Sequence, residues 1–596
     1  MGVRATARSG LTQAVPEDPA AAGRMSAYDL LFLAAGGVIG SGWLLAGTGV
    51  DKAAGSWALG SWLIGGLLIL VVTAVMVEVS TRVPKTGGLI FLPLQTSGPL
   101  LATLVAAGVW VFYAASPASE SIAMVQNVAA WGNWPRLFNG GKSEPTWLGI
   151  GLAVAFLLLI TVLNLLRPRR FLAVNNVLTA FKIFVPLLIV VLLGFALVWP
   201  PAHPVPFPPS APTGAGSLSS ALGAVVSSGV IYAYLGFQGP LDFAGNVRSG
   251  GIGEAARLRR AVYGTVIGSI LLYTALQFVI IYLRHHSTGS VDGAPSAYTA
   301  FAGAVVRPGW LGSAVTGLIN LDSVLSPAGT AMVFTYVMTR EVAALSRAHL
   351  THRGLQRRKN SVMLLPAGLL RAVFGGERLD VYRWILIVDF GISLIMLLLT
   401  GGHWSVLQDI PTVTALVVYA TPSVVLASLR RREPGLFPQW RYALMAEASF
   451  AALAVVFVLA TGGVLWGMGA LAVGCLLLFG LPVAAPMAPW YDARAHVREF
   501  GKLRTSTAAQ LAAVLGGYFA LLTLAGVARS RWPSHAGWAW DIAGLAAVVA
   551  TSVIAFRWLV RLSAAYMATN PPLLPKPLAR RGRAESAEGT ATGTGS

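Results

Sequence analysis

The stretch GGVIGSGWLLAG, residues 36–47, places five glycines and one serine inside an apolar segment of membrane-spanning length. In hydrocarbon every backbone amide and carbonyl must be hydrogen-bonded within the protein, so a broken helix is tolerated only where it faces protein or a water-filled cavity. We predict that Gly40, Ser41 and Gly42 interrupt this helix and leave free amides at the start of its second half, where the positive end of the dipole attracts a carboxylate. The alternative is that the small residues only let helices pack closely.

A second interruption lies in SSGVIYAYLGFQGPLDFAGN, residues 227–246, where Gly236, Gly239 and Pro240 fall in the middle of another apolar segment. Proline lacks a backbone donor and kinks or breaks a helix, so together with the two glycines it predicts that this helix does not run continuously. Two broken helices five spans apart are typical of an inverted repeat with its binding site near the middle of the membrane. The second break therefore favours a cavity over simple close packing at residues 36–47.

The composition places the chain in a bilayer, because 55% of its residues are hydrophobic, only 11% are charged and the mean hydropathy is +0.68. Apolar runs of about 20 residues mark candidate spans. Fourteen such runs occur, at 27–48, 57–80, 98–129, 147–166, 173–199, 218–246, 258–283, 310–339, 383–400, 404–429, 443–462, 464–486, 507–528 and 537–561. We therefore predict an all-α polytopic membrane protein with about 14 transmembrane helices.

The basic residues test this count independently, because Lys and Arg near a span favour the cytoplasmic side. If both termini are cytoplasmic, the inside segments hold 35 of the 43 Lys and Arg residues. Topology thus explains the net charge of +20, and contact with anionic lipid is compatible with it. No stripe of basic and aromatic residues lies outside the predicted spans, so we expect no nucleic-acid partner.

The breaks in the first and sixth spans divide the chain into predicted units. These are a cytoplasmic N-terminal segment (1–25), a first repeat with helices 1–5 (26–200), a second repeat with helices 6–10 (218–430), four additional helices (441–565) and a disordered cytoplasmic tail (566–596). We also expect the long basic connection at 340–382 to pack as short amphipathic helices on the membrane surface.

Four motifs in order resemble the amino acid/polyamine/organocation superfamily of permeases. GVIGSGWL (37–44) is similar to the family's unwound first helix, and VEVSTRVPKTGG (77–88) to the exit of its second helix. AYLGFQG (233–239) resembles the sixth helix and LDSVLSPAGTAMVFTYVMTR (321–340) the eighth. The resemblance covers about 26–565 and is strongest to the bacterial aspartate/proton symporter branch. It implies the five-plus-five inverted-repeat, LeuT-like transporter fold.

The resemblance also implies a substrate site at the two breaks. It assigns the substrate carboxylate to the backbone amides around residues 39–42 and the substrate ammonium to carbonyls near Tyr234 to Gly236. Phe237 would close the pocket as an aromatic gate. The family commonly has an acidic residue where this chain has Gln238 and a Glu-Glu...Asn-Pro exit where it has AGNVRSGG (244–251), and both departures bear on the substrate more than on the fold. The substrate-binding residues implied are Ile39, Gly40, Ser41, Gly42, Tyr234, Gly236, Phe237 and Gln238.

Ionisable residues within spans are energetically costly and are functional by default. Among the ionisable residues of the predicted spans we single out Glu78, Glu120, Lys182, Asp242, Asp322, Asp389 and Glu447. Lys182 lies about ten residues into the fifth span, too deep for easy snorkelling. By resemblance, a lysine there replaces the ion that sodium-coupled relatives bind between helices 1 and 8, and can exchange a proton. The alternative is a lysine permanently paired with a buried acid; in either case sodium is unnecessary.

Asp322 and Glu120 are the predicted counter-charges, each either a proton relay or a static partner. Asp322, Ser326 and Gly329 or Thr330 recur at helical spacing and should share one face. Glu120 lies in a third span that usually lines the pocket, where it can sense a proton or repel an acidic substrate. We expect Glu78 to form a structural salt bridge with Arg82 and Asp242 to face water, and leave Asp389 and Glu447 unassigned.

Enzyme functions have little support in the sequence. It contains no His-Glu-x-x-His motif, no Walker loop and no evident partner base for its single cysteine, Cys475. We therefore expect no catalytic residues, no cofactor and no metal ion, and transport driven by a gradient.

The features together predict a secondary transporter that imports an amino acid or related amine across the plasma membrane by alternating access, preferably with proton symport. Resemblance favours acidic amino acids, although no arginine is buried in helices 1, 3, 6, 8 or 10, and cationic or neutral substrates are nearly as well supported. The alternatives are an exchanger without proton coupling and a nutrient sensor that binds without transport. The expected partners are the small-molecule substrate, protons and the lipid bilayer; the oligomeric state is left open.

Overall fold

The computed structural model describes most of the membrane region as helix. The described residues are 25–85, 87–132, 134–139, 144–166, 168–201, 216–244, 252–286, 296–347, 350–352, 355, 382–460, 463–480, 501–531 and 538–572. Within these ranges the only β-type pairing is an isolated bridge between Phe138 and Pro145. The chain is therefore all-α, as the sequence predicts.

The helices follow the apolar runs closely. In chain order they are α1 (Ala27–Val38), α2 (Gly42–Ala54), α3 (Ala58–Arg82), α4 (Gly88–Ser97), α5 (Pro99–Gly132), α6 (Trp147–Leu163), α7 (Pro168–Val198), α8 (Leu218–Ser227), α9 (Val230–Tyr234), α10 (Gly239–Asp242), α11 (Ile252–His286), α12 (Ala297–Val305), α13 (Gly309–Arg347), α14 (Arg383–Leu399), α15 (Trp404–Arg432), α16 (Arg441–Leu459), α17 (Gly463–Cys475), α18 (Thr507–Arg531) and α19 (Trp538–Thr569). Short 3₁₀ and π turns extend several of them.

Every predicted span coincides with one of these helices or with a helix that is broken. Eight helical segments in the described ranges are long and apolar enough to cross a membrane, which makes the chain a multi-pass membrane protein. The number of crossings, fourteen, stays a prediction. The hydropathy scan did not predict α4 and α12 as separate helices, because both are shorter than a span.

The first predicted span is broken where its glycines indicated. A capping box at Ser26 begins α1, which ends at Val38, and α2 begins again at Gly42. Between them Ile39 has φ −82° and ψ 87°, outside the helical region. The sixth span is broken twice, since α8, α9 and α10 are separate short helices.

The two breaks touch through their backbones. A Cβ atom added at Gly37 would lie 2.7 Å from the carbonyl oxygen of Gly236, and one added at Gly42 would lie 2.6 Å from Cα of Ala233. Gly236 itself has φ +109°, a conformation that side chains other than glycine rarely adopt. Glycine is thus required on both sides of this crossing.

The remaining helices pack around the breaks. The long helices α5, α13 and α15 pack together beside them, and α11 packs on α1 and α3. The additional helices α18 and α19 pack against α16. One continuous hydrophobic core connects the helices from α1 to α19.

Several predicted segments lie wholly or largely outside the described residues. These are the N-terminal segment (1–25), the exit AGNVRSGG (244–251), most of the 340–382 connection and most of the tail (566–596). Two helices enter these ranges, since α13 continues to Arg347 and α19 to Thr569.

Candidate functional site

The break between α1 and α2 frees carbonyl groups that side chains from other helices bind. The ammonium of Lys182, on α7, donates to the Gly36 carbonyl at 2.7 Å and to Thr330 Oγ1 at 2.8 Å. Thr330, on α13, lies 2.9 Å from the Gly36 carbonyl and 3.0 Å from that of Ile39, either of which can accept its proton. Buried carbonyls at a helix end require such donors. The fifth and eighth spans therefore hold the broken end of the first.

A third donor comes from the seventh span. The hydroxyl of Tyr273, on α11, donates to the Val38 carbonyl at 3.0 Å. Tyr273 is 1% exposed, and a buried tyrosine hydroxyl usually has a partner. The carbonyls of Gly36, Val38 and Ile39, at and just after the end of α1, thus each have a side-chain donor from another helix.

Lys182 is fully buried and lies directly on the eighth span. A Cβ atom added at Gly329 would lie 3.2 Å from Lys182 Nζ. Asp322, on the same helix, accepts a hydrogen bond from Ser326 at 3.1 Å. Within the described part of the chain, neither Asp322 nor Glu120 forms an ion pair with Lys182 closer than 4.0 Å. The predicted alternative of a permanent direct ion pair does not occur in this structure.

Glu120 lies at the opposite side of the same break. One carboxylate oxygen accepts the backbone N–H of Ser41 at 3.0 Å, and the other accepts the hydroxyl proton of Tyr232 at 2.7 Å. Ser119 Oγ lies 2.5 Å from that hydroxyl. Glu120 is 1% exposed, so the carboxylate is enclosed by protein. A third-span acid is thus brought to the free amide of the unwound segment.

The two charges match the dipoles of the two half-helices. Lys182 lies at the C-terminal, partially negative end of α1, and Glu120 lies at the N-terminal, partially positive end of α2. The side chain of Ser41, the N-cap residue of α2, forms no capping hydrogen bond. The carboxylate of Glu120 therefore takes the place that an anion or capping residue would otherwise fill.

The break in the sixth span is held by the side chain of Gln238. Its oxygen accepts the N–H of Gly236 at 3.1 Å and the hydroxyl of Tyr419 at 2.7 Å, and its nitrogen donates to Tyr113 at 3.2 Å. Phe237 is fully buried, with its ring centroid 5.5 Å from that of Tyr419. The amide of Gln238 thus links the third, sixth and tenth spans.

The other predicted site residues lie at the same crossing. Tyr234 donates its hydroxyl proton to the Trp62 carbonyl at 3.1 Å. Trp62 in turn donates to Gln277 at 2.8 Å. Tyr234 therefore anchors the sixth span to the second through its side chain, while its backbone stays beside the break.

The prediction that Asp242 faces water is wrong for this structure. Asp242 is 1% exposed, and it accepts a hydrogen bond from Tyr113 at 2.7 Å. Its backbone carbonyl accepts the N–H of Gly87 at 3.1 Å. The short helix α10 turns inward at the end of the sixth span, which encloses the carboxyl group.

Ion pairs lie away from the breaks. Glu78 binds Arg82, as expected, and also Arg259 at 3.0 Å. At the other end of the bundle the fully buried Asp51 binds Arg284 at 3.0 Å. Glu447, which the sequence left unassigned, binds Arg557 at 2.9 Å on a mostly exposed surface.

Tertiary structure added residues that sequence reasoning did not assign. These are Tyr113, Tyr232, Tyr273 and Tyr419, all buried and hydrogen-bonded around the breaks. Their signal in the sequence was a polar hydroxyl within an apolar span, which needs a partner. The helix α13 also buries Arg340, one residue beyond the predicted eighth span, between Tyr336 and Tyr382. Arg340 lies about 15 Å along that helix from Thr330.

Comparisons with known proteins agree with this architecture. Residues 26–474 match the model of the amino acid permease family. The glutamate/serine transporter AimA of Bacillus subtilis is 27% identical over 80% of this chain and 83% of its own length. The aspartate-proton symporter of the same organism is 28% identical over 68% of this chain and 72% of its own. Its branched-chain amino acid permease BcaP is 24% identical over 54% of this chain and 67% of its own. The resemblance seen in the motifs is confirmed, and the family match ends before α18 and α19.

Proposed function

The chain belongs to the amino acid permease family, and on this premise we propose that it is a secondary active transporter that imports an amino acid across the plasma membrane by alternating access. The observation that carries the proposal is the contact of the two helix breaks at Gly37 and Gly236, with the charges of Lys182 and Glu120 on either side. Free backbone groups at such breaks suit the carboxylate and ammonium of an amino acid.

We propose the five-plus-five inverted repeat as the arrangement of its helices. The first repeat is 26–200, the second is 218–430, and the four helices of 441–565 lie outside both. Fourteen crossings put both termini on the same side of the membrane, and the distribution of Lys and Arg supports the cytoplasmic side.

Proton symport is the proposed coupling, with Lys182 as the group that gains and loses the proton. Its ammonium donates to the carbonyl of Gly36 at the end of α1. A neutral amine cannot make this charge-assisted bond, which is stronger than a neutral one. Loss of the proton would therefore weaken the hydrogen bond between Lys182 on the fifth span and Gly36 on the first. Protonation is in this way linked to movement of the broken helix.

Acidic amino acids are the leading substrates proposed. The names of two relatives, a glutamate/serine transporter and an aspartate-proton symporter, support this class and add a small neutral amino acid. Glu120 argues the other way, because its charge beside Ser41 would repel a second carboxylate. Glutamate, aspartate and serine are therefore the substrates to test first.

Uptake by the purified chain in proteoliposomes tests the proposal. The vesicles are made alkaline inside or equal to the outside, in the absence of sodium, and a pool of labelled amino acids is added. We expect accumulation only under the pH gradient, and separation of the pool then names the substrate. Release of preloaded label on addition of unlabelled amino acid, without accumulation, would instead identify an exchanger. Binding without any flux would support a sensor.

A further inference from the structure

We propose that Glu120 occupies the position of the substrate's α-carboxylate, and that a carboxylate-bearing substrate binds only after Glu120 is protonated and leaves the amide of Ser41. This inference rests on the proposed function, since it concerns the same site. It assigns to Glu120 the role of an internal competitor that must be displaced, which differs from that of a proton relay at a distance.

The contacts of Glu120 account for both of its oxygens. Oε2 accepts the N–H of Ser41 at 3.0 Å, and Oε1 accepts the hydroxyl of Tyr232 at 2.7 Å. A Cβ atom added at Gly40 would lie only 2.8 Å from Oε1, so the carboxylate lies against the unwound backbone itself. A substrate carboxylate that uses the Ser41 amide would need the volume that Glu120 fills.

Charge makes the competition dependent on pH. An ionised Glu120 is stabilised by the dipole of α2, and a second carboxylate at the same helix end would be repelled at close range in a buried site. A protonated Glu120 is a weaker acceptor for the Ser41 amide. Binding of the substrate should therefore be accompanied by uptake of one proton.

Other titratable groups face this site from each neighbouring helix. Tyr232 on α9 donates to Glu120, and Tyr273 on α11 donates to the Val38 carbonyl at the same break. Lys182 on α7 is held at Gly36 on the far side of the break, and Asp322 on α13 is bonded to its own neighbour Ser326. Glu120 is the carboxylate among them that contacts the Ser41 amide.

The test measures the dissociation constant of L-serine for the purified full-length protein between pH 6 and pH 8, by calorimetry or scintillation proximity. L-serine isolates the α-carboxylate, because its side chain is neutral, and L-glutamate is measured in parallel. Above the pH range in which Glu120 titrates, we expect the wild-type constant to rise about tenfold per pH unit, since one bound proton is linked to binding. Glu120→Gln should remove this slope and bind L-serine more tightly than wild type at pH 8.

Two further variants keep the result interpretable. Asp389→Asn removes a different carboxyl, 3% exposed on α14, and should retain the wild-type slope. Tyr232→Phe removes one of the two hydrogen bonds that hold Glu120. It should tighten L-serine binding at pH 8 by a smaller factor than Glu120→Gln, and it provides the answer if Glu120→Gln does not fold.

Four results would overturn the inference. A wild-type constant that does not change with pH would exclude proton-linked displacement. Weaker binding by Glu120→Gln at every pH would mean that Glu120 contacts the substrate ammonium. Absence of L-serine and L-glutamate binding by every variant at every pH would overturn the proposed substrate class, and this inference with it. L-serine binding with the same affinity and pH dependence in wild type and Glu120→Gln would overturn this inference and leave the proposed function standing.

Discussion

Replacement of Lys182 by methionine separates the structural role of this lysine from its proposed role in coupling. Methionine keeps an unbranched side chain of similar length beside Gly329, so little cavity forms. The ammonium and its bonds to the Gly36 carbonyl (2.7 Å) and to Thr330 Oγ1 (2.8 Å) are lost. The Gly36 carbonyl still has Thr330 as a donor at 2.9 Å.

The expected loss of stability is modest for this reason. The net contribution of a hydrogen bond from a charged group is about 1.5–3 kcal/mol. Since the Gly36 carbonyl keeps Thr330 as a second donor, we expect Lys182→Met to lower the free energy of unfolding by the contribution of one such hydrogen bond, about 1.5–3 kcal/mol. The protein should therefore still fold and insert, and remain measurable in vesicles.

The effect on transport should be much larger. Each proton carried with the substrate supplies about 1.4 kcal/mol per pH unit, which corresponds to about tenfold accumulation at equilibrium. Wild type, with one proton at Lys182 and one at Glu120, should reach about hundredfold accumulation for one pH unit in vesicles that are alkaline inside. Lys182→Met keeps only the proton of Glu120 and should stop at about tenfold, while exchange of preloaded label against external substrate continues.

Thr330→Val provides the matched control. It removes the neutral donor to the same two carbonyls, Gly36 and Ile39, but no titratable group. We expect slower uptake by Thr330→Val at the same accumulation ratio as wild type. If Lys182→Met reaches the wild-type accumulation ratio under the pH gradient, the assignment of Lys182 to proton coupling is refuted.

Two pairs of substitutions test the contact between the helix breaks and the buried ion pair between Asp51 and Arg284. Gly236→Ala places a side chain at φ +109° against the opposing backbone, at a cost of about 1–3 kcal/mol for the strained conformation alone. Gly236→Ala should abolish uptake. The control Gly268→Ala, in open space on α11, should not. Wild-type uptake by Gly236→Ala would show that transport does not require the two helix breaks to touch. Arg284→Gln removes a partner of the buried Asp51 and should lower the free energy of unfolding by up to about 3–5 kcal/mol. Arg557→Gln, on an exposed pair, should lower it by at most about 1 kcal/mol, and equal losses would contradict this ranking.

Local sequence patterns were sufficient for the membrane-spanning helices and for the breaks at 39–41 and 235–238, but not for α4, α12 or the break between α8 and α9. Hydropathy over about 20 residues depends only on neighbours along the chain, and bilayer thickness fixes the length of a span. The break at residues 39–41 follows equally from local chemistry, because the five glycines and one serine of residues 36–47 favour an interrupted helix, whose free backbone groups need partners within hydrocarbon. The resemblance to a permease family rested on the same local motifs.

The contacts that give the site its chemistry are not local. Glu120 and Ser41 are separated by 79 positions, and Lys182 and Gly36 by 146. Sequence analysis identified Lys182 and Glu120 as costly charges, but it treated them as possible partners of each other. The structure instead places them on opposite ends of two half-helices, where each satisfies a different set of free backbone groups.

The sequence by itself therefore determined that this protein is a multi-pass membrane protein and where its helices break, because hydrophobic length and glycine or proline content act over a few residues. Only the tertiary structure decided that Gly37 meets Gly236 and that Glu120 lies on the amide of Ser41. The physical reason is that a buried polar group takes whichever partner the packing of distant helices brings within 3 Å or so, and no pattern along the chain specifies that distance.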